Sequence, residues 1–590
     1  MSAFARKHAT GLIALGLGLG SLLVFALAAP RTGYTRDEGF YFEAAEAYAG
    51  WWRTLAREPG QAFSEPVIRR SFEVNHEHPV LVKNLMALSF LALAADEERS
   101  PTDWPAARRG VFARAMRLPS QAFSALAVAL TFLLGAAVTG KRRVGLVAAL
   151  AFALVPRHFY HAQLACFDMP AVAMWLAVVL AYRKGLSSWG WALATGLVWG
   201  LAISTKHNAF FLPGVLGLHW LLTRGRELRL GRDGLALPPI PLAFFSMLVL
   251  GPLVFVGHWP YLWHDTLNRV GWYFGFHLHH VNYYWEYLGT LLTEPPFPWM
   301  YPFVVTALTF PAVWLALGAW GFLAALGERL GRPLRTLRGL LARLAGLGGP
   351  REPAAAPAAW LSRDDGWLLL LNAFVPVFII AIPSVPIFGG VKHWMHAMPF
   401  VCVLGALALE RAIGLLPERL ARRRTVFAGA AALTLLPSLL GLVAIGSYGT
   451  SFYNELAGGV GGGADLGMQR QYWSNNVTGV LPWLNEHLPP NARVYFHEVT
   501  GQSFHAYRRD GLLRPDLRPA YDPEHADFTV YQYHREFVDT EYRVWNRLGH
   551  RRPVYGLYLD EAPIILVYDT RQAPPPSARS LPAQPPPSPP

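Results

Sequence analysis

Apolar runs long enough to cross a lipid bilayer recur along this chain, and they limit its fold more than any other feature. The runs 11–29 and 425–446, for example, are close to the roughly 20 residues that a membrane-spanning helix needs. Charged residues make up only 15% of the chain and hydrophobic residues 53%, whereas soluble domains carry about 25% and roughly 45–50%. We therefore expect a polytopic α-helical membrane protein. This composition excludes an ordinary soluble enzyme, a disordered chain and a collagen-like repeat.

Eleven segments are predicted to be membrane-spanning helices. They are residues 11–29, 119–138, 144–158, 169–182, 189–204, 208–223, 239–257, 298–326, 366–384, 397–413 and 425–446. Most arginine and lysine clusters lie in short loops between these segments, and the positive-inside rule assigns those loops to the cytoplasm. Membrane orientation thus accounts for the net charge of +13, and we expect no nucleic-acid partner. Cys166 and Cys402 are expected to be buried thiols rather than a disulfide.

The apolar stretch 79–95 does not fit as a further crossing, because a crossing there would move every later basic loop to the other side. We interpret it as a re-entrant or interfacial helix within a first external loop, residues 30–118. Irregular backbone at that depth needs cover from protein or a water-filled cavity. The alternative is that the stretch spans and the helix count is wrong by one.

The two ends of the chain differ from the middle. We interpret the first run as an uncleaved anchor of a membrane domain, residues 1–446, although a cleaved signal peptide is the alternative. Residues 447–573 are predicted to form a small external α/β domain, with strands near 492–496, 528–533 and 564–568. Glycines at 458–463 suggest a flexible hinge, and the Pro-rich tail 574–590 is expected to be disordered.

The predicted topology gathers the costly polar residues on the external side. Asp37 and Glu38 follow the first span closely, and a charge near hydrocarbon costs roughly 2.5–3.5 kcal/mol, so a functional role is a reasonable hypothesis. A carboxylate pair at a helix N-terminus would explain the same spacing. Lys83 could hold a phosphate or extend to the membrane surface, and Asp168 could be a helix cap. The further external candidates are His78, Arg157, His161, Lys206, Lys392 and His393.

Several other motifs carry little weight. His277, His279 and His280 lack the spacing of a familiar zinc site. His497-Glu498 lacks the second histidine of a metalloprotease motif, and the glycines at 458–463 do not make a dinucleotide-binding fingerprint. The sequon at Asn476 has no meaning outside a glycosylating compartment. We therefore predict no metal site from these residues.

Three motifs in order on one side of the membrane carry a family resemblance. They are Asp37-Glu38 after the first span, His78-Pro79-Val80-Leu81-Val82-Lys83 closing the first loop, and Asp168-Met169-Pro170 opening a later span. This set resembles glycosyltransferase family 39, which includes protein O-mannosyltransferases and aminoarabinose lipid A transferases. The resemblance implies the GT-C fold and an enzyme of the EC 2.4 class. Such an enzyme takes a sugar from a polyprenyl-phosphate carrier to an acceptor outside the cytoplasm, in a bacterial inner membrane with a periplasmic active site.

The resemblance also suggests roles for single residues. Asp37 matches the family's general base, with Glu38 beside it, and Asp168 looks like the second essential aspartate. Lys206 and Lys392 resemble lysines near the carrier phosphate, although Lys392-His393-Trp394 departs from the family's usual pattern. The family's His-Pro-Pro-Leu-x-Lys stretch has Val80 in place of its second proline here. The segment 453–459 with Tyr472-Trp473 looks like a feature of a bacterial subset.

The chemistry of such a transfer agrees with these residue types. A base must take the acceptor's proton, and cations must stabilise the departing phosphate. Asp37 could be the base, and Lys83, Arg157, Lys206 and Lys392 could supply the positive charge. We expect no required cofactor, although Asp37 and Asp168 could also ligate a divalent metal. We further expect the cavity to be built from loops before residue 400, and the C-terminal domain to serve the acceptor, which is a lipid, a glycan or a protein.

Two hypotheses from other classes stay open at this point. A transporter or flippase of a lipid-linked glycan would show internal repeats and charges within its helices, and we find no obvious repeat. A membrane sensor would place its function in the C-terminal domain. The gathering of charges on one rim favours a reaction at the membrane surface over either alternative.

Overall fold

A computed structural model describes residues 3–94, 110–231, 234–344 and 360–571. The α-helices of this part are α1 Ala3–Ala28, α2 Arg36–Arg57, α3 Pro59–Ala62, α4 Glu65–Phe72, α5 Leu81–Leu93, α6 Val111–Thr139, α7 Arg142–Leu154, α8 Pro156–His161, α9 Asp168–Gly185, α10 Trp189–Ile203, α11 Leu212–Arg224, α12 Leu242–Gly257, α13 Thr266–Leu278, α14 Tyr301–Thr309, α15 Ala312–Leu344, α16 Arg363–Ile380, α17 Met398–Gly414, α18 Glu418–Ala421, α19 Arg424–Ile445, α20 Gly459–Asp465, α21 Leu481–His487, α22 Gly501–Arg509 and α23 Val538–Leu548. The strands are β1 Arg229–Gly231, β2 Gly234–Ala236, β3 Trp285–Tyr287, β4 Thr290–Leu292, β5 Arg493–Phe496, β6 Arg518–Ala520, β7 Phe528–Gln532, β8 Tyr555–Leu559 and β9 Ala562–Asp569.

Each of the eleven predicted spans overlaps helix in the described part of the chain, although 144–158 is interrupted at Val155, between α7 and α8. Five helical segments of the described part are long and apolar enough to cross a membrane: His8–Arg31, Val111–Thr139, Ala312–Gly331, Met395–Gly414 and Arg424–Ile445. Helices α10 and α12 are equally apolar in character but shorter than 18 residues. The chain is therefore a helical membrane protein, whereas the count of eleven crossings stays a prediction.

The predicted span 298–326 is not one helix, which corrects the sequence interpretation. Helix α14 ends at Thr309 and α15 begins at Ala312, with Pro311 at the break. The side-chain amide of Asn454 donates to the carbonyls of Ala307 and Phe310 at 2.7 and 2.6 Å. The carboxylate of Glu455 accepts from the backbone N–H of Ala312 at 3.1 Å. These groups satisfy backbone atoms that the break leaves without helical partners.

Helix α5 matches the apolar stretch that was not expected to span. Its 13 residues extend about 20 Å at 1.5 Å per residue, which is shorter than the roughly 30 Å hydrocarbon core. It packs against α2 and α6, and Val82, Met86 and Ala87 are fully buried there. This length favours a re-entrant or interfacial helix. The part of the first external loop between residues 95 and 109 lies outside the described residues.

The C-terminal segment folds around one five-stranded sheet with the order β6-β5-β7-β9-β8. Strand β5 pairs in parallel with β6 and β7, and β9 pairs antiparallel with β7 and β8. The three predicted strands correspond to β5, β7 and β9, and the prediction of a small α/β region is confirmed. The short strand β6 and the half-exposed β8 were not predicted. The Pro-rich tail 574–590 lies outside the described residues.

The glycine-rich segment predicted to be a hinge forms helix α20, which corrects that interpretation. The backbone N–H of Val460 donates to the Asp560 carboxylate at 2.9 Å. A Cβ at Gly461 would lie 2.7 Å from the Asp560 carbonyl, and one at Gly463 would lie 2.6 Å from the Tyr453 ring. The glycines therefore permit close packing rather than free movement.

The C-terminal region rests directly on the start of α2. The Tyr34 N–H donates to the hydroxyl of Tyr507 at 2.8 Å, and the Ser503 hydroxyl donates to the Thr35 carbonyl at 3.1 Å. Gly33 lies so close that an added Cβ would be 2.0 Å from the Asn475 carbonyl oxygen. The two parts of the chain are therefore packed together where the first external loop begins.

One buried carboxyl in this contact should make stability depend on pH. The Tyr34 hydroxyl donates to Asp510, and burial raises the pKa of Asp510 to about 7. Because an unfolded aspartate has a pKa of about 3.9, the protonated form is favoured in the folded state, and that contribution is lost as pH rises through about 7. We expect the unfolding temperature in detergent to fall by on the order of 2 °C from about pH 6 to pH 8. Asp510→Asn cannot ionise and should remove this part of the pH dependence, so an unchanged profile would contradict the assignment.

Candidate active site

A cavity of about 610 Å³ lies where the segment after α1, several later turns and the C-terminal segment meet. Its polar lining comes from the start of α2, the loop 75–78, the start of α9 and the turns 206–208 and 389–393. Its apolar lining includes Phe211, Phe276, Leu278, Tyr284, Ile379, Ile380 and Phe388. One space therefore joins charged groups to an apolar wall.

Asp168 is the most firmly held charged group in the lining. It is the first residue of α9 and is 5% exposed. Its Oδ1 accepts from Lys206 Nζ at 2.5 Å, and its Oδ2 accepts from His161 Nδ1 at 3.2 Å. Two fixed donors use both carboxylate oxygens, so Asp168 orients Lys206 and His161 rather than standing free to take a proton.

Asp37 has a looser environment on the same cavity. It lies in the first turn of α2, and its side chain is 28% exposed. Its Oδ2 is 3.8 Å from Lys392 Nζ, and no hydrogen bond to either Asp37 oxygen is found among the described residues. Lys392 also lies 4.6 Å from the Trp473 ring centre and 4.9 Å from that of Phe388. Asp37 is thus a lining carboxylate with lone pairs available to a ligand.

Glu38 points away from the cavity, which corrects the expectation of a catalytic role. Its carboxylate is 0% exposed and accepts from Arg117 at 2.8 and 3.0 Å and from the Ala165 N–H at 2.8 Å. It also completes a capping box with Thr35 at the start of α2. Arg117 donates further to the carbonyls of Ala29, Thr32 and Gly33. Glu38 therefore fixes the start of the helix that carries Asp37.

Lys83 is likewise placed behind the lining rather than in it. Its ammonium donates to the Asn75 carbonyl at 2.5 Å, to the His78 carbonyl at 2.9 Å and to the Asn75 side chain at 3.3 Å. These acceptors use its three protons, which corrects the expectation that Lys83 binds the phosphate. It instead holds the loop that presents Asn75, Glu77 and His78 to the cavity. Burial, with Lys83 nearby, lowers the pKa of His78 well below its ordinary value, so this lining histidine is neutral.

The remaining predicted residues fall into two layers. Lys206 and His393 line the cavity, and the His393 ring meets the Phe388 ring edge-on at 4.5 Å. Arg157 and His161 lie one layer behind. Arg157 donates to the Phe452 carbonyl at 3.0 Å and lies 5.1 Å from the Tyr453 ring centre. Neither is positioned to touch a phosphate in the cavity, so their expected binding roles become positioning roles.

The C-terminal segment supplies a wall that the sequence interpretation missed. Tyr472, Trp473, Ser474 and Glu498 line the cavity, which corrects the expectation that loops before residue 400 alone build it. Trp473, Ser474 and Glu498 have φ angles of 71°, 61° and 62°, a strained region for such residues. The Trp473 carbonyl accepts from the Arg36 N–H at 2.9 Å, and Glu498 pairs with the Arg36 guanidinium at 2.9 Å. Only the Tyr472-Trp473 dipeptide gave a sequence signal for this wall.

The geometry makes a direct prediction for Glu38. Glu38→Gln would leave the Arg117 guanidinium buried without its counter-charge, and breaking such a pair costs about 3–5 kcal/mol. We expect the free energy of unfolding to fall by about that amount, measured by denaturant titration in detergent. The matched control is Asp37→Asn, one residue away and partly exposed, which should unfold like the wild type. A stable Glu38→Gln protein would restore the case for a catalytic role.

Comparisons with known proteins complete the description. The chain is similar in structure to ArnT from Cupriavidus metallidurans in the apo state, with 14% identity, a TM-score of 0.46 and coverage of 96% of this chain and 99% of that one. It is also similar to the apo oligosaccharyltransferase of Archaeoglobus fulgidus, with 11% identity and a TM-score of 0.44. That match covers 90% of this chain and 72% of the oligosaccharyltransferase chain. No curated protein matches the chain by sequence. Residues 68–225 match the model of the dolichyl-phosphate-mannose-protein mannosyltransferase family, so the family resemblance indicated by the motifs is confirmed over that segment.

Proposed function

We propose that the protein is an integral membrane glycosyltransferase that moves a sugar from a polyprenyl-phosphate carrier to an acceptor on the external face of the membrane. The observation that carries this proposal is the pairing of two carboxylates with two lysines around one cavity, at distances of 2.5 and 3.8 Å. A sugar phosphate needs positive charge for its leaving group and a base for its acceptor. This cavity offers both within one lining.

The Asp168–Lys206 pair is closer than the Asp37–Lys392 pair, and this difference suggests different roles for the two carboxylates. Asp168 is committed to Lys206 and His161, whereas Asp37 keeps available lone pairs. Asp37 would take the proton from the acceptor's nucleophilic group as that group forms a bond to the anomeric carbon. The bond from that carbon to the phosphate oxygen breaks, and its electron pair leaves with the carrier phosphate. Lys206 and Lys392 would stabilise the charge that develops there.

The apolar lining supports a lipid-linked donor. Phe276, Leu278 and Tyr284 from the 276–284 segment face the same space as Ile379 and Ile380 at the end of α16. Leu278 and Tyr284 are also 78% and 55% exposed, so this wall continues to the outer surface. A polyprenyl chain could therefore lie along it while the phosphate reaches the lysines. A free sugar nucleotide would have no use for such a wall.

We propose that no metal is required. Among the described residues no group of three His, Cys, Asp or Glu side chains is placed to hold an ion. The lysine ammoniums lie beside the carboxylates where a divalent cation would bind. A metal held by Asp37 and Asp168, which is the alternative, would have to displace Lys206 from Asp168 and bind beside the Lys392 ammonium.

The remaining parts of the proposal concern topology. The helices that lie at the predicted spans, the placement of Asp37, Asp168, Lys206 and Lys392 around one cavity, and the short α5 support a GT-C type membrane domain. The active site and the C-terminal region would then lie on the periplasmic side of a bacterial inner membrane.

The first test is the loss of the proposed base. Asp37→Asn should lower transfer by about 100-fold to 10,000-fold, because only proton transfer is lost. The measurement follows a labelled polyprenyl-phosphate sugar supplied to the purified protein with cell-envelope acceptors. Binding of the carrier should stay close to that of the wild type. Undiminished turnover in the folded variant would remove Asp37 from the mechanism.

Lys392→Ala is the contrasting variant in the same assay. It removes a cation from the lining but leaves the Asp37 carboxylate in place. Carrier binding and turnover should both fall in this variant, since a phosphate contact strengthens as the leaving group gains charge. A variant that binds the carrier as tightly as the wild type would argue against phosphate binding at Lys392.

A labelling experiment tests the side of the membrane. Native Cys166 and Cys402 are buried, so an impermeant thiol reagent should report introduced cysteines only. Val281→Cys, at a position that is 62% exposed, should react in cells with an opened outer membrane. Arg142→Cys, at the exposed first residue of α7, should react only after the inner membrane is permeabilised. If the cysteine at position 142 reacted before the inner membrane was permeabilised, α5 would have to cross the membrane.

A further inference from the structure

Asp168, His161 and Tyr472 form a hydrogen-bonded chain that ends at the cavity. His161 Nδ1 lies 3.2 Å from Asp168 Oδ2, and His161 Nε2 lies 3.2 Å from the Tyr472 hydroxyl. His161 is 2% exposed and stands behind the lining, whereas Tyr472 is part of it. The chain therefore links the buried Asp168–His161 pair to a tyrosine of the cavity lining.

The chemistry of the chain fixes the direction of each hydrogen bond. Lys206 at 2.5 Å keeps Asp168 ionised, and a carboxylate only accepts, so His161 Nδ1 carries a proton and donates it. Burial lowers the pKa of His161, so the ring is neutral and its Nε2 accepts. Tyr472 must then donate its one proton to Nε2. The phenolic oxygen can act toward the cavity only as an acceptor.

The position of the tyrosine ring is set by its neighbours. Trp285 and Trp473 pack against it with ring centres 5.8 and 5.3 Å away. Gly390, at φ +58°, comes so close that an added Cβ would lie 3.3 Å from the ring. Arg157 lies 5.8 Å from the ring centre and also hydrogen-bonds the hydroxyl, which leaves one lone pair of the phenolic oxygen for a ligand. Burial raises the pKa of Tyr472 to about 12, so the phenol stays protonated.

An acceptor beside two lysines discriminates between parts of a sugar phosphate. Phosphate oxygens of the carrier only accept hydrogen bonds, so they suit Lys206 and Lys392 but gain nothing from the Tyr472 oxygen. A hydroxyl on the sugar ring can donate to it. We infer that Tyr472 is a specificity-determining residue that accepts a hydrogen bond from a hydroxyl group of the carrier-linked sugar. This inference rests on the proposed function.

The test compares binding of two ligands to full-length protein in lipid nanodiscs. One is undecaprenyl phosphate without a sugar. The other is undecaprenyl phosphate carrying mannose, glucose, galactose or aminoarabinose, whichever the wild type binds most tightly. Tyr472→Phe should weaken binding of the sugar-bearing ligand about three- to tenfold, as expected for one neutral hydrogen bond. Binding of the bare carrier should change less than twofold.

His161→Asn provides an independent variant. The asparagine amide can still donate to Asp168 in place of Nδ1, but the acceptor for Tyr472 is lost. The preference for the sugar-bearing ligand should fall as it does in Tyr472→Phe. In the double variant, Tyr472→Phe with His161→Asn, the preference for the sugar-bearing ligand should fall little further than in either single variant, because both changes act on one hydrogen-bonded unit.

Tyr301→Phe is the matched control. Tyr301 also packs near Trp285, with ring centres 6.4 Å apart, but it does not line the cavity. Its buried hydroxyl has no hydrogen-bond partner among the described residues. Removing that hydroxyl should leave binding of both ligands unchanged.

The outcomes separate this inference from the proposed function. If Tyr472→Phe weakened binding of both ligands equally, the hydrogen-bonded chain would only support the site's structure, and the inference would be overturned. A larger loss of the bare carrier would mean that Tyr472 donates to phosphate, which also overturns it, as would no loss at all. A wild-type protein that binds neither ligand would instead refute the proposed function, and the inference would fall with it.

Discussion

The buried ion pair between Glu38 and Arg117 holds together the region on which the site depends. Arg117 lies in the long apolar helix α6, and its guanidinium reaches the first carbonyls after α1 as well as the Glu38 carboxylate. Glu38 in turn binds the backbone just before α9 through Ala165. One charge pair thus connects α2 and α6 with the segments that follow α1 and precede α9. Asp37, its neighbour in sequence, is thereby aimed at the cavity.

This arrangement explains why two adjacent carboxylates have different environments. Successive residues of a helix point about 100° apart, so a helix at a protein surface can bury one side chain and expose the next. Glu38 is fully buried with donors on both oxygens, whereas Asp37 keeps 28% of its side chain accessible. The two lysines also differ in position: Lys83 donates to backbone carbonyls behind the lining, whereas Lys392 lines the cavity. Two adjacent residues of one motif therefore have different surroundings, with Asp37 on the cavity and Glu38 buried behind it.

Much of the membrane domain could be predicted from the sequence because hydrocarbon demands long apolar helices with internal backbone hydrogen bonds. The helices at all eleven predicted spans and three of five sheet strands follow from local patterns of this kind. The site was predictable only in part. Asp37, Asp168, Lys206, Lys392, His78 and His393 line the cavity as expected. The directions of Glu38 and Lys83, and the arrival of Tyr472 and Glu498, depend on tertiary contacts that no local pattern encodes.

The break between α14 and α15 is held by residues that follow α19. Asn454 and Glu455, which follow the last apolar helix, complete hydrogen bonds that an uninterrupted helix would make for itself. A chain shortened before these residues would leave carbonyl and N–H groups of another helix bare near the hydrocarbon layer. The segment that carries Asn454 and Glu455 thus takes part in the hydrogen bonding of the apolar helices. A boundary for separate expression of either part belongs after Gly458 rather than at the end of α19.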